Sequence, residues 1–97
     1  MSQTHHFGSG SFKKELWVAS KKIFPKLTDV NVEFQSGQWE WIIADSAGNF
    51  VRSVNGGGGG WHGINLPSLG LYGDYSIGFR STSSDTKKIV QGDINYG

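Results

Sequence analysis

Trp39 and Trp41 stand two residues apart, and Ile43 follows at the same spacing. Side chains alternate sides along an extended chain, so these three share one face. Gln38, Glu40, Ile42 and Ala44 share the other. Aromatic and β-branched residues at that spacing fit a pleated, half-buried surface. Asp45, Ser46, Ala47, Gly48 and Asn49 come next. Asp and Ser bond their own backbone, while Gly and Asn tolerate the left-handed conformation of a tight reversal. Residues 50–54 run back, with Val51 and Ser53 on one face and Phe50, Arg52 and Val54 on the other. The stretch is predicted to be a β-hairpin. It leads into five glycines, residues 56–60, and then Trp61. Glycine offers no side chain to pack and has the largest backbone entropy. Residues 56–63 are therefore predicted to be a mobile loop that presents Trp61.

The two-residue period recurs elsewhere. Val30, Val32 and Phe34 alternate with Asp29, Asn31, Glu33 and Gln35, and Ser36 and Gly37 turn the chain into the Trp39 strand. Tyr75, Ile77 and Phe79 alternate with Asp74, Ser76, Gly78 and Arg80. In residues 87–96, Val90, Ile94 and Tyr96 fall on one side, with Ile89, Gln91, Asp93 and Asn95 on the other. Gly92, in mid-strand, marks a bulge or a close packing contact. Residues 11–24 fit two patterns. Phe12, Leu16, Ala19 and Ile23 have helical spacing, yet Phe12, Leu16 and Val18 against Trp17, Ala19 and Ile23 also describe a two-sided strand. The strand is preferred because every later segment is β, and Pro25 ends the element in either case.

Glycine, at 15 of 97 residues, is used about twice as often as the ordinary ~7%. Strands joined by such turns predict an all-β fold: a small antiparallel β-sandwich of six to seven strands. Residues 1–10 are polar and glycine-punctuated and are predicted to be a flexible N-terminal arm. Residues 11–97 form the sandwich domain, with Val32, Phe34, Trp39, Trp41, Ile77, Phe79 and Ile94 in its core. From Trp39 to Tyr96 the order is a Trp strand, an Asp-x-x-Gly-Asn turn, a long loop, a Tyr-x-Ile-x-Phe strand and a Ser/Thr turn. That order resembles small sandwich modules of extracellular and luminal proteins and implies no residue roles.

Several function classes are excluded. With no cysteine there is no thiol catalysis, cysteine zinc site or disulfide framework. A net charge of +1 is no electrostatic footprint for nucleic acid. No run approaches the ~18 apolar residues of a membrane span. His62 with the serines and Asp45, Asp74, Asp85 or Asp93 lacks any nucleophile-elbow context. Glu40 and Asp74 are carboxylates beside aromatic residues, but a chain this short leaves little room for a glycosidase cleft. The glycine run lacks the Lys-Ser/Thr of a phosphate loop, and the 45–49 turn lacks calcium-loop spacing. His5 and His6, adjacent on a loose arm, make a poor metal site. No catalytic residue, metal or cofactor is expected.

The aromatic residues carry the functional expectation. Trp39, Trp41, Trp61 and Tyr72 exceed what one small core needs, and flat aromatic faces bind sugar rings. The chain is read as a non-catalytic binding module for a glycan or another cell-surface component. Trp61, His62, Asn55 and Tyr72 are the expected ligand-binding residues. Residues 1–6 read as the start of an exported, extracellular chain whose leader has been removed. Two other functions fit the composition. One is a secreted toxin or antimicrobial protein contacting membranes through exposed tryptophans and Lys13, Lys14, Lys21, Lys22 and Lys26. The other is an assembly protein pairing through a sheet edge.

Overall fold

The computed structural model describes residues 3–97; Met1 and Ser2 lie outside the described residues. Nine strands are present among the described residues: β1 (Gln3–Phe7), β2 (Gly10–Phe12), β3 (Glu15–Trp17), β4 (Asp29–Phe34), β5 (Trp39–Asp45), β6 (Phe50–Asn55), β7 (Gly60–Asn65), β8 (Tyr75–Ser81) and β9 (Lys87–Tyr96). Two short 3₁₀ turns, Val18–Ser20 and Pro67–Leu69, interrupt them, and no α-helix occurs among the described residues. Every pairing between these strands is antiparallel. One sheet runs β1-β9-β4-β7, with β2 also on β9; the other runs β3-β8-β5-β6. The chain therefore changes sheet at nearly every connection. With β1 and β2 counted as one line, this is the strand order of an eight-stranded jelly roll.

The sandwich is as the hydrophobic period requires. Val30, Val32 and Phe34 of the first sheet face Trp39, Trp41, Ile43, Ile77 and Phe79 of the second, all at 2% exposure or less. Phe34 lies flat on Trp39 with centroids 4.0 Å apart, and Phe79 meets Phe34, Trp39 and Trp41 at tilted or edge angles. Offset and edge contacts of this kind add to what area burial alone supplies.

Four expectations need correction. The predicted N-terminal arm is, over its described part, mostly strand. Gln3 through Phe7 pair with Tyr96 through Gly92, and the same register resumes from Gly10 to Phe12. Gly92 makes this possible: a Cβ there would come within 2.2 Å of the Phe7 ring. Second, residues 11–24 are neither one strand nor a helix. They cross from β2 to β3, turn at Val18–Ser20, and end with Phe24 bridging Tyr75. With these N-terminal strands the total exceeds the expected six to seven. Third, the face assignments of the last strand fail at one point. The register shifts between Glu33 and Phe34, so Val90 is extra. Such a bulge reverses the parity of the residues beyond it, so Ile89 and Ile94 are both buried while Val90 is exposed. Fourth, a similar shift between Ile43 and Ala44 puts Phe50 opposite Ala44 and Arg52 opposite Ile43. Phe50 thus leaves the face that simple alternation has it share with Arg52 and Val54.

The hairpin turn is as expected. Asp45 Oδ1 accepts hydrogen bonds from the backbone N–H of Ala47 and Asn49 at 3.0 and 2.9 Å, and Gly48 has φ of 86°.

Candidate functional site

The glycine run is shaped by packing rather than left free. Gly56 lies against the Trp39 indole, where a Cβ would approach ring atoms to 2.4 Å. A Cβ on Gly59 would meet the Gln35 carbonyl oxygen at 2.4 Å. Gly57, Gly58 and Gly60 have φ of 106°, 81° and 85°, the region glycine alone enters without cost. The Gly58 N–H donates to Gly37 O at 2.8 Å, and Trp39 Nε1 donates to Gly58 O at 3.2 Å. The segment is a fitted lid over the end of the core, not the mobile arm read from the sequence. Its second half becomes β7, so Trp61 sits on a strand.

The four residues expected to bind together do not converge. Trp61 pairs across to Glu33 and is 53% exposed on the outer face of the first sheet. His62, the next residue, turns to the opposite side. Its ring meets Trp39 edge-on at 5.2 Å, and its Nε2 lies 3.1 Å from Gly59 O. Asn55 ends β6 and borders an open depression of about 520 Å³ with Gln38, Trp39, Gly56, Gly57, Gly58 and Thr82. Tyr72 is 76% exposed, in the loop between β7 and β8. Gly60 pairs with Phe34 and Asn65 with Asp29, so the 56–60 and 66–74 loops leave opposite ends of the same strand.

What surrounds Trp61 is a set of polar residues that the sequence reading passes over. On the outer face of the first sheet, register places Trp61, Glu33 and Gln91 in one row. The next row holds Gly63, Asn31, Asp93 and His6, and a third holds Asn65, Asp29, Asn95 and Thr4. Directly opposed side chains in adjacent strands have Cβ atoms roughly 4.5–5.5 Å apart, so the rows form a grid. Hydrogen bonds fix it. Gln91 Nε2 donates to Glu33 Oε1 at 3.1 Å, and Asn95 Nδ2 to Asp29 Oδ2 at 2.8 Å. His6 Nδ1 lies 2.7 Å from Asp93 Oδ1, and Thr4 Oγ1 donates to Asn95 Oδ1 at 2.7 Å. Gly63, beside Trp61, lets the Asn31 amide lie over it, since a Cβ there would fall 2.5 Å from Asn31 Oδ1. A signal for this grid does exist in the sequence. The outward positions of β4, and those of β9 from Gln91 onward, are carboxylates and amides rather than the lysines common on solvated strands.

The opposite broad face is built differently. Trp17 lies across Gly78, with Lys21 Nζ 4.7 Å above its ring. Arg80 pairs with Glu40 and stacks over Phe50. Ile42 and Ala44 beneath are fully covered. These groups satisfy one another.

Chemistry beyond binding has little to work with. The chain has no cysteine, and among the described residues no three His, Cys, Asp or Glu side chains converge as metal ligands. His62 is engaged with Trp39 and Gly59 rather than with a serine and a carboxylate. His6 has a carboxylate partner, but no Ser or Thr hydroxyl bonds its ring among the described residues.

No family model matches this sequence, and no curated protein matches it. Solved structures do resemble it in fold. A fucose-binding module from Streptococcus pneumoniae aligns with a TM-score of 0.62 at 15% identity, covering 97% of this chain and 70% of that one. A family two carbohydrate esterase from Cellvibrio japonicus aligns over all of this chain, 35% of its own length, with a TM-score of 0.54 at 14% identity. FlgD from Xanthomonas campestris, a flagellar hook-capping protein, aligns with 86% of this chain and 70% of its own, with a TM-score of 0.51 at 19% identity. At these identities the likeness is one of fold.

Proposed function

We propose that this protein is a non-catalytic, extracellular glycan-binding module whose site is the outer face of the first sheet at Trp61. One observation carries the reading: a half-exposed indole is held on a strand next to carboxylates and amides already oriented by their own hydrogen bonds. A sugar ring presents apolar C–H faces and a rim of hydroxyls. Stacking suits the first and planar polar groups suit the second. Groups fixed before binding lose less entropy when the ligand arrives. A jelly roll shared with a fucose-binding module is consistent with this use. Trp61 is retained from the sequence expectation, with Glu33, Gln91 and Asn31 as its partners; His62 supports the strand from behind.

The two other functions draw less support. Lys21 is tied over Trp17 and donates to Gly48 O at 3.2 Å, and Lys22 lies over Phe24, so these lysines are engaged locally. The edge strand β6 carries a bulge and Arg52, which donates to Leu69 O, and both features guard an edge against pairing.

The test is binding to a glycan array by the unmodified protein and by Trp61→Ala. Losing an anchoring aromatic of this kind costs about 2 kcal/mol, roughly 30-fold in affinity. The variant should melt cooperatively and lose the array signal. Binding that survives Trp61→Ala would place the site elsewhere, first at the depression bordered by Asn55.

A further inference from the structure

We infer that the Trp61 face is an acceptor surface that selects amine-bearing over acidic sugars. This rests on the glycan-binding reading and adds to it the charge class of the ligand.

Donors and acceptors on the grid are used unequally. Three amides of the grid each turn one N–H inward to a carboxylate. Gln91 Nε2 is spent on Glu33, Asn95 Nδ2 on Asp29, and Asn31 Nδ2 reaches Asp29 Oδ2 at 3.4 Å. The acceptors are half used. Each carboxylate takes its bonds on one oxygen, and among the described residues no donor reaches Glu33 Oε2, Asp93 Oδ2 or Asp29 Oδ1. Asn31 Oδ1, which lies over Gly63, is likewise without a donor among the described residues. An ionised carboxylate oxygen can only accept. A ligand that brings donors meets these free oxygens: hydroxyls, or better an ammonium, whose three N–H groups and positive charge suit such a surface.

Charge points the same way. Glu33, Asp93 and Asp29 succeed one another diagonally across the grid, and no lysine or arginine bonds any of them among the described residues. The basic side chains nearby are His6, bonded to Asp93, and Lys88, an exposed residue past the Val90 bulge. Lys21 and Arg80 are on the other broad face. A uronate or sulfated sugar stacked on Trp61 would bring its anion against Glu33 across one strand spacing. An amine in the same position would meet an unused acceptor.

The experiment compares three oligosaccharides of equal length by titration calorimetry: β-linked glucosamine, its N-acetylated form, and galacturonic acid. At low ionic strength and about pH 6 the amine oligomer should bind most tightly and the uronate oligomer at least about tenfold more weakly, the scale of one partly screened charge pair. The gap should narrow at about 0.5 M salt, where screening is strong. Glu33→Gln and Asp93→Asn keep the planar acceptor for Gln91 and His6 while removing charge. Each should shrink the amine-to-uronate ratio. Uronate binding equal to or tighter than amine binding, or a ratio unmoved by both variants, overturns this inference alone. In that case neutral binding that still depends on Trp61 keeps the parent reading intact. No binding by any of the three, nor by a neutral glycan panel, overturns both.

Discussion

Gly56→Ala is the sharpest probe of how the glycine segment is built. The new methyl carbon would fall 2.4–2.6 Å from three atoms of the Trp39 ring. That ring cannot step aside. It is 2% exposed, stacked on Phe34 at 4.0 Å and wedged edge-on against Trp41 and Phe79. The alternative is for the loop to lift, which breaks the bond from Trp39 Nε1 to Gly58 O and strains that from Gly58 N to Gly37 O. Overpacking of this sort costs ~1–3 kcal/mol and a lost hydrogen bond about 1 more, so the total is about 2–4 kcal/mol. For a domain of this size each kcal/mol lowers the melting temperature by roughly 4–8 °C. A fall of roughly 8–30 °C is therefore expected by calorimetry or circular dichroism. Gly8→Ala is the matched control, because nothing lies within 4 Å of its Cβ position. It should melt within a few degrees of the parent. If Gly56→Ala also did so, the segment would be a flexible arm after all and the case for a packed lid would fail.

Phe79→Ala should cost ~3–5 kcal/mol, since its ring is fully buried among Phe7, Phe34, Trp39 and Trp41; an unchanged melt would mean that this face is not the core. Removing residues 1–8 should lower stability by about 2 kcal/mol, the burial of one large side chain, because Phe7 and the β9 pairing go with them. An unfolding curve indifferent to that truncation would restore the frayed-arm reading. Asp45→Ala removes an acceptor of two backbone N–H bonds and should cost about 1–2 kcal/mol in denaturant titration. Faster amide exchange should be confined to residues 45–49; uniform loss across the sheets would contradict a local turn role.

The sequence alone determined the elements whose information is local. In β4 and β8 the alternation of large apolar with polar or small residues, and in β5 the two-residue spacing of Trp39, Trp41 and Ile43, named the strands, their inward faces and the core. The Asp45 to Asn49 turn was legible because its residues bond their own backbone. Trp61 was legible as an aromatic residue without an obvious packing partner. Other features depend on what a distant segment supplies. Polar β1 becomes a strand because β9 offers it an edge and Gly92 leaves room for Phe7. The bulges that expose Val90 and displace Phe50 turn on one extra residue each, and no residue type announces them.

Ala19, Ser20 and Lys21 hold left-handed backbone at φ of 51°, 57° and 67°, which costs each of them roughly 1–2 kcal/mol. Tertiary bonds from Ser76 Oγ to Lys21 O and from Lys21 Nζ to Gly48 O secure the last of them, so nothing in the local sequence could indicate it. The candidate site divides in the same way. Its tryptophan could be read from the chain. The outward polar residues of β4 could be read strand by strand but not as rows of one surface, because His6, Asn31, Gly63 and Asp93 come from four strands that only the jelly-roll order brings side by side.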